Sequence, residues 1–180
     1  NDIFIIGEAA AKQGIDAIID FFVRNRETRL NNSIMIYEGK AQDIFRIPAD
    51  IESNLHSELR GIIDNTRQWS KAYVPTLREF LQEYTYAHIG AVAGRVGLEK
   101  QNMNTFSTNR EKYMEFSDPQ AVNTIFYMSG SAAFKGSKLA GFLNDVETRG
   151  YLWIVGKARI GTLTIASHKG QRLTTMETIN

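Results

Sequence analysis

Apolar positions along this chain follow two rhythms. Ile3-Phe4-Ile5-Ile6-Gly7 is a continuous apolar run too short for a helix, and it predicts a buried strand. After a short leading turn at Glu8 to Lys12, set off by Gln13 or Gly14, the spacing becomes helical. Ile15, Ile18, Ile19, Phe22 and Val23 fall at i, i+3, i+4, i+7 and i+8, with Asp16 and Asp20 turned toward water. Ser33 to Gly39 reads as a second apolar strand ended by its glycine. Strand, helix and strand in close succession make a β-α-β unit, for which parallel pairing through a right-handed crossover is the default.

More helix follows. A short piece is expected near Ala41 to Phe45, and a longer helix from Ser53, its N-cap, to Trp69, with Leu55, Leu59, Ile62, Ile63 and Thr66 on the apolar face. Val74 to Leu81 restarts the pattern with Thr76 at the cap and Glu79 three residues on, the spacing of a capping box.

From His88 the texture changes to strands. Ile89 to Glu99 alternates small and apolar residues, and Gly90, Gly94 and Gly97 let such a strand bend or approach another backbone closely. Gln101 to Gln120 is polar and reads as a long loop. Thr124 to Phe134 is a strand turned at Lys135-Gly136-Ser137-Lys138 into Leu139 to Leu143, a hairpin. Asn144 then caps a helix over 145–155, with Glu147 at the third position, Leu152, Trp153 and Val155 as its apolar residues and Gly156 as its stop. Ile160 to Ala166 and Leu173 to Ile179 read as closing strands around a Lys169-Gly170 turn. The expected class is α+β, as two small mixed domains: residues 1–87, a β-α-β helix-rich part, and residues 88–180, a strand-rich antiparallel part. Because both ends fall inside strand-like stretches, the chain is expected to be a piece of a longer one, running into the start of a further C-terminal domain.

Composition narrows the chemistry. The chain has 180 residues, 43% hydrophobic, which suffices for a core without disulfide or metal. Lys plus Arg number 21 against 20 Asp plus Glu, a formal charge of +1 that gives no global pull toward nucleic acid or an anionic membrane. Cysteine is absent, which removes thiolate zinc sites and cysteine nucleophiles. No apolar run approaches the roughly 20 residues of a spanning helix.

Candidate sites are few. His56, His88 and His168 share no metal-ligand spacing, and Ser129-Gly130-Ser131 and Gly136-Ser137 lack the nucleophile elbow, so no catalytic, cofactor or metal residue is assigned. Gly90, Gly94 and Gly97 do not form the strand, glycine fingerprint and helix of a dinucleotide site. An enzyme acting on cell-wall material would need two converging carboxylates, yet Asp16, Asp20, Asp64, Glu79 and Asp145 all have helix-surface or capping explanations. Glu147-Thr148-Arg149-Gly150 is charged and invites a functional reading. Capping accounts for its spacing, with Glu147 bonding back to the Asn144 amide and Arg149 pairing with a nearby carboxylate or carbonyl. Trp153 and Phe142 are core candidates, and Tyr84, Tyr86 and Trp69, where exposed, are the first candidates for a protein contact.

Four stretches resemble the Ger(x)C family of spore germination proteins: Ile6-Gly7-Glu8 with the helix to Phe22, Arg29-Leu30-Asn31 into the next strand, Val74-Pro75-Thr76-Leu77, and the block from Ala133 to Lys157. The last, a hairpin followed directly by Glu147-Thr148-Arg149-Gly150 and Leu152-Trp153, is the most specific. The resemblance implies a non-catalytic lipoprotein C subunit of a nutrient germinant receptor, acting with A and B subunits at the spore inner membrane, peripheral on its outer face. It implies a lipid anchor on a cysteine this chain lacks, no cofactor and no nucleic-acid partner. It marks Asn144, Glu147, Thr148, Arg149, Gly150 and Trp153 as a motif of structural character. The competing reading is a small-molecule domain that binds the germinant directly.

Overall fold

The computed structural model describes residues 3–40, 42–43, 59–61, 63, 72–86, 90–100, 124–158, 160–166 and 172–178. Among them the order is β1 (Ile3–Gly7), α1 (Glu8–Gln13), α2 (Asp16–Arg24), β2 (Ser33–Tyr37), α3 (Leu77–Thr85), β3 (Val92–Lys100), β4 (Thr124–Lys135), β5 (Lys138–Leu143), α4 (Asp145–Ile154), β6 (Ile160–Ala166) and β7 (Arg172–Thr178). The fold is α+β, as the pattern predicts.

β1 to β5 form one five-stranded sheet in sequence order. β1 pairs with β2 and β2 with β3 in parallel, and β3, β4 and β5 continue antiparallel. The change of texture near position 87 is therefore no break in this sheet, because β2 from before it hydrogen-bonds to β3 from after it. β1 stands at one end of the order, and among its residues only Ile6 is fully buried. β2 has a neighbour on each side and is buried along its whole length. β6 and β7 pair antiparallel as a separate two-stranded sheet.

Alternation along β2 feeds two cores. Ile34 and Ile36 face one way and meet Ala93, Ala132 and Phe134, under Ala11, Ile15 and Ile19 of the first helices and Leu77 and Phe80 of α3. Met35 and Tyr37 face the other way and meet Val96 and Met128, with Leu59, Ile63, Ala72 and Val74. Leu59–Gly61 and Ile63 are helical, as the spacing predicts. The expected cap at Ser53, the piece near Ala41 to Phe45 beyond residues 42–43, and the Gln101 to Gln120 loop lie outside the described residues.

Local chemistry sets the element ends. The Thr76 hydroxyl accepts from the Glu79 amide at 3.3 Å while the Glu79 carboxylate accepts from the Thr76 amide at 2.7 Å, the capping box the sequence announces. The β4–β5 hairpin closes through two residues, with Gly136 at φ +60° in the first turn position. Close approach explains the earlier glycines. A side chain at Gly90 would meet the Phe134 carbonyl at 2.6 Å, at Gly94 Met35 at 2.8 Å, and at Gly97 the Tyr127 ring at 2.5 Å.

Gly130 is the most constrained of all, since it has φ +74° and an added Cβ would lie 2.0 Å from the Leu143 carbonyl oxygen. Gly130→Ala is expected to cost about 2–4 kcal/mol through combined strain and backbone clash. Gly136→Ala, with open space around it, should cost only about 1 kcal/mol. Urea titration of the two variants reads the difference, and equal losses would contradict it.

Candidate functional site

The block from Asn144 to Lys157 is built as a rigid unit. The Asn144 side-chain oxygen accepts from the Val146 and Glu147 amides at 2.9 Å each, and the Glu147 carboxylate accepts from the Asn144 amide at 2.8 Å. Glu147 is thus committed to the cap, as its spacing suggests. At the other end Gly156, at φ +68°, donates its N–H to the Trp153 carbonyl at 3.2 Å, and Lys157 donates to the Leu152 carbonyl at 2.8 Å. This pair of bonds is a Schellman motif, and it fixes where Lys157 leaves the helix.

The motif residues divide by position. Thr148 is fully buried, its hydroxyl 2.8 Å from that of Ser131 on β4. The Asp145 carboxylate accepts from the Ser129 hydroxyl. Trp153 and Phe142 are half-buried, Phe142 against the first core. Arg149 departs from expectation: its Nε is buried without a hydrogen-bond partner, and it makes no ion pair among the described residues. Gly150 faces outward, and none of the described residues lies within 4 Å of where its Cβ would be.

Behind α4 lies a polar knot that the chain order conceals. Glu83 of α3 accepts from Lys157 Nζ at 2.6 Å and from the Tyr73 hydroxyl at 3.2 Å on one oxygen, and from the Val92 amide at 3.1 Å on the other. Lys157 also sits over the Tyr73 ring, 4.9 Å from its centroid, and Tyr151 of α4 lies 6.1 Å from the same ring. Burial first, then the Glu83 charge, pushes the Tyr73 phenol far above the ordinary tyrosine range, and the same two causes raise Tyr151. Both phenols are thereby held neutral to higher pH than a free tyrosine.

A second knot joins three strands and the end of β2. Glu38 Oε2 accepts from Arg95 Nε at 2.8 Å, Arg95 Nη2 at 2.6 Å and the Tyr127 hydroxyl at 2.8 Å, while the guanidinium lies 5.1 Å from the Phe142 ring centroid. Among the described residues no three His, Cys, Asp or Glu side chains gather for a metal. Asp16 accepts from Tyr84, Asp20 pairs with Arg24 at 2.8 Å, and Glu79 and Asp145 serve helix starts. His56, His88, His168, Asp64 and Trp69 lie outside the described residues. Tyr86 is exposed and Tyr84 half-buried on Phe80, so the expectation of an exposed aromatic holds for Tyr86 alone of the two.

A family model described as the spore germination protein N-terminal domain matches residues 1–97. A second, described as spore germination B3/GerAC like, C-terminal, matches residues 129–180. A crystal structure of the GerBC protein is similar in fold, with TM-score 0.55 and 17% identity over 97% of this chain. The chain spans 43% of the length of that structure. No curated protein matches.

The raised phenols give a pH prediction with a definite sign. Both tyrosines stay neutral to higher pH in the fold than in the unfolded chain, so their stabilisation is whole below the ordinary tyrosine pKa of about 10 and lost as pH rises beyond it. Tyr73→Phe is expected to cost about 1 kcal/mol at neutral pH through the lost bond to Glu83. Its melting temperature should also fall less steeply than the parent's above pH about 10. Thermal unfolding followed by circular dichroism across that range checks both.

Proposed function

This chain belongs to the spore germination protein family whose N-terminal domain model covers residues 1–97, and from that premise we propose that it is part of a germinant-receptor C subunit acting by docking rather than by chemistry. The observation that supports docking is the outer face of α4. Val146 is 75% exposed and Ile154 86% exposed, and Gly150 stands between them at i+4 and i+8 along one stripe.

A glycine inside a helix costs about 1 kcal/mol relative to alanine. Gly150 has neither a positive φ nor, among the described residues, a neighbour that would require it. Its use lies outside the chain: a residue without Cβ lets a second backbone come close, and the flanking Val146 and Ile154 give that visitor apolar contact. Glu147 is the one charged residue that is exposed among residues 145–154, and its carboxylate is already held by the cap. The surface fits a helix of a sister subunit. The A and B subunits of the receptor are the proposed partners, at the spore inner membrane, with the parent polypeptide held peripherally on its outer face by a lipid anchor. Among the described residues no helix is long and apolar enough to cross a membrane.

Gly150→Leu tests this, because it fills the notch without touching the interior. The variant should be at least as stable as the parent, with a gain up to about 1 kcal/mol from helix propensity. Spores carrying it should lose co-purification of the C subunit with its partners and germinate poorly on nutrient. Normal assembly and germination would count against the reading. Isothermal titration with amino acids and sugars separates the alternative, since saturable heat would favour direct germinant binding.

A further inference from the structure

A second exposed apolar group lies away from the α4 stripe. Phe21 is 62% exposed and Val23 58% on the last turns of α2, Leu30 is exposed in the loop that follows, and Tyr86 is 69% exposed at the end of α3. The loop is compact, with the Thr28 amide bonding the Asn25 carbonyl and the Asn32 amide the Arg29 carbonyl, each at 3.0 Å. It is fastened to α3 by the Arg78 amide on the Leu30 carbonyl at 2.9 Å and the Leu77 amide on the Asn32 carbonyl at 2.7 Å. Between loop and helix runs an open groove of about 370 Å³, lined by Leu30, Arg78, Leu81, Gln82, Thr85 and Tyr86.

The charges around these side chains are unbalanced. Arg24, Arg26, Arg29 and Arg78 are all exposed. Asp20 answers Arg24 at 2.8 Å, whereas Arg26, Arg29 and Arg78 make no ion pair among the described residues and Glu27 is the remaining acid in the loop. Every cation here is arginine, whose planar fork binds phosphate oxygens in pairs and gives up its hydration more easily than an ammonium. Leu30 and Tyr86 line the groove together with Arg78, and apolar and aromatic side chains beside arginine suit the headgroup boundary, where tyrosine is favoured and shape complementarity is not demanded.

We propose that this end of the molecule lies directly against an anionic lipid surface, with Arg26, Arg29 and Arg78 on headgroup phosphates and Leu30 and Tyr86 at the depth of the headgroups. The contact goes beyond a lipid anchor, because it fixes which face of the protein turns to the bilayer. It uses residues remote in sequence from α4, so it stands or falls separately from the docking stripe.

Co-sedimentation of the purified 180-residue chain with vesicles tests the contact directly. The expected result is binding to phosphatidylglycerol mixed into phosphatidylcholine, little binding to phosphatidylcholine alone, and release as salt is raised. Arg26→Glu, Arg29→Glu and Arg78→Glu should each weaken binding on the order of fivefold, with circular dichroism confirming the parent fold. Arg26→Gln and Arg29→Gln, milder changes at exposed loop positions, should weaken it in the same direction. Tyr86→Ser should lower binding without changing its salt dependence. Equal binding to neutral vesicles, no binding to anionic ones at low salt, or charge variants that bind like the parent would each overturn the proposal. So would stronger retention on immobilised polyglutamate than on anionic vesicles, which would assign the surface to an acidic protein.

Discussion

Five consecutive residues, Ser33 to Tyr37, are buried on both faces of the sheet, and the rest of the molecule is arranged around that requirement. A strand with water on neither side must hydrogen-bond to a neighbour on each edge and be covered above and below. β1 and β3 supply the edges in parallel register. Each large side chain so buried contributes about 1.5–3 kcal/mol, and the alternation shares them between two cores instead of one. Ile34 and Ile36 consolidate the helices α1 to α3, while Met35 and Tyr37 consolidate the segment around Ala72 and Val74.

Parallel strands need long connections, so the chain must travel between its pairings. The two polar knots tie those connections down. Glu83 gathers Tyr73, Lys157 and the Val92 amide, joining the helix before β3 to the turn that ends α4. Glu38 gathers Arg95 and Tyr127 at the far end of β2. Each carboxylate accepts several donors in a partly buried setting, where removing one partner strands the others. These groups therefore read as framework.

With the interior so committed, the exposed large apolar side chains among the described residues fall in two places. α4 presents a short stripe interrupted by glycine, and the α2–α3 end presents larger side chains mixed with arginine. The first is narrow, lacks free charge and has a notch in the backbone profile, features that suit another helix. The second is broader and cationic.

Much of this was legible in the residue order. Helix starts at Thr76 and Asn144, the glycine stop at Gly156, the two-residue turn at Gly136 and the alternation of β4 and β5 are short-range matters, decided by groups within a few positions of one another. The resemblance to spore germination proteins was also carried by contiguous blocks, and the family models match over those same regions. Apart from the parallel pairing of β1 with β2, which the strand-helix-strand order predicts, long-range pairing was not legible. Nothing in the order of residues says that Lys157 meets Glu83, that Tyr127 lies over Gly97, or that one sheet runs through the change of texture near position 87. Arg149 shows the limit most plainly, since its buried Nε finds no hydrogen-bond partner among the described residues although its neighbours in sequence offer carboxylates. Local backbone chemistry is written in neighbouring residues, whereas which side chains share a core, a knot or an open face depends on how the strands come together in space.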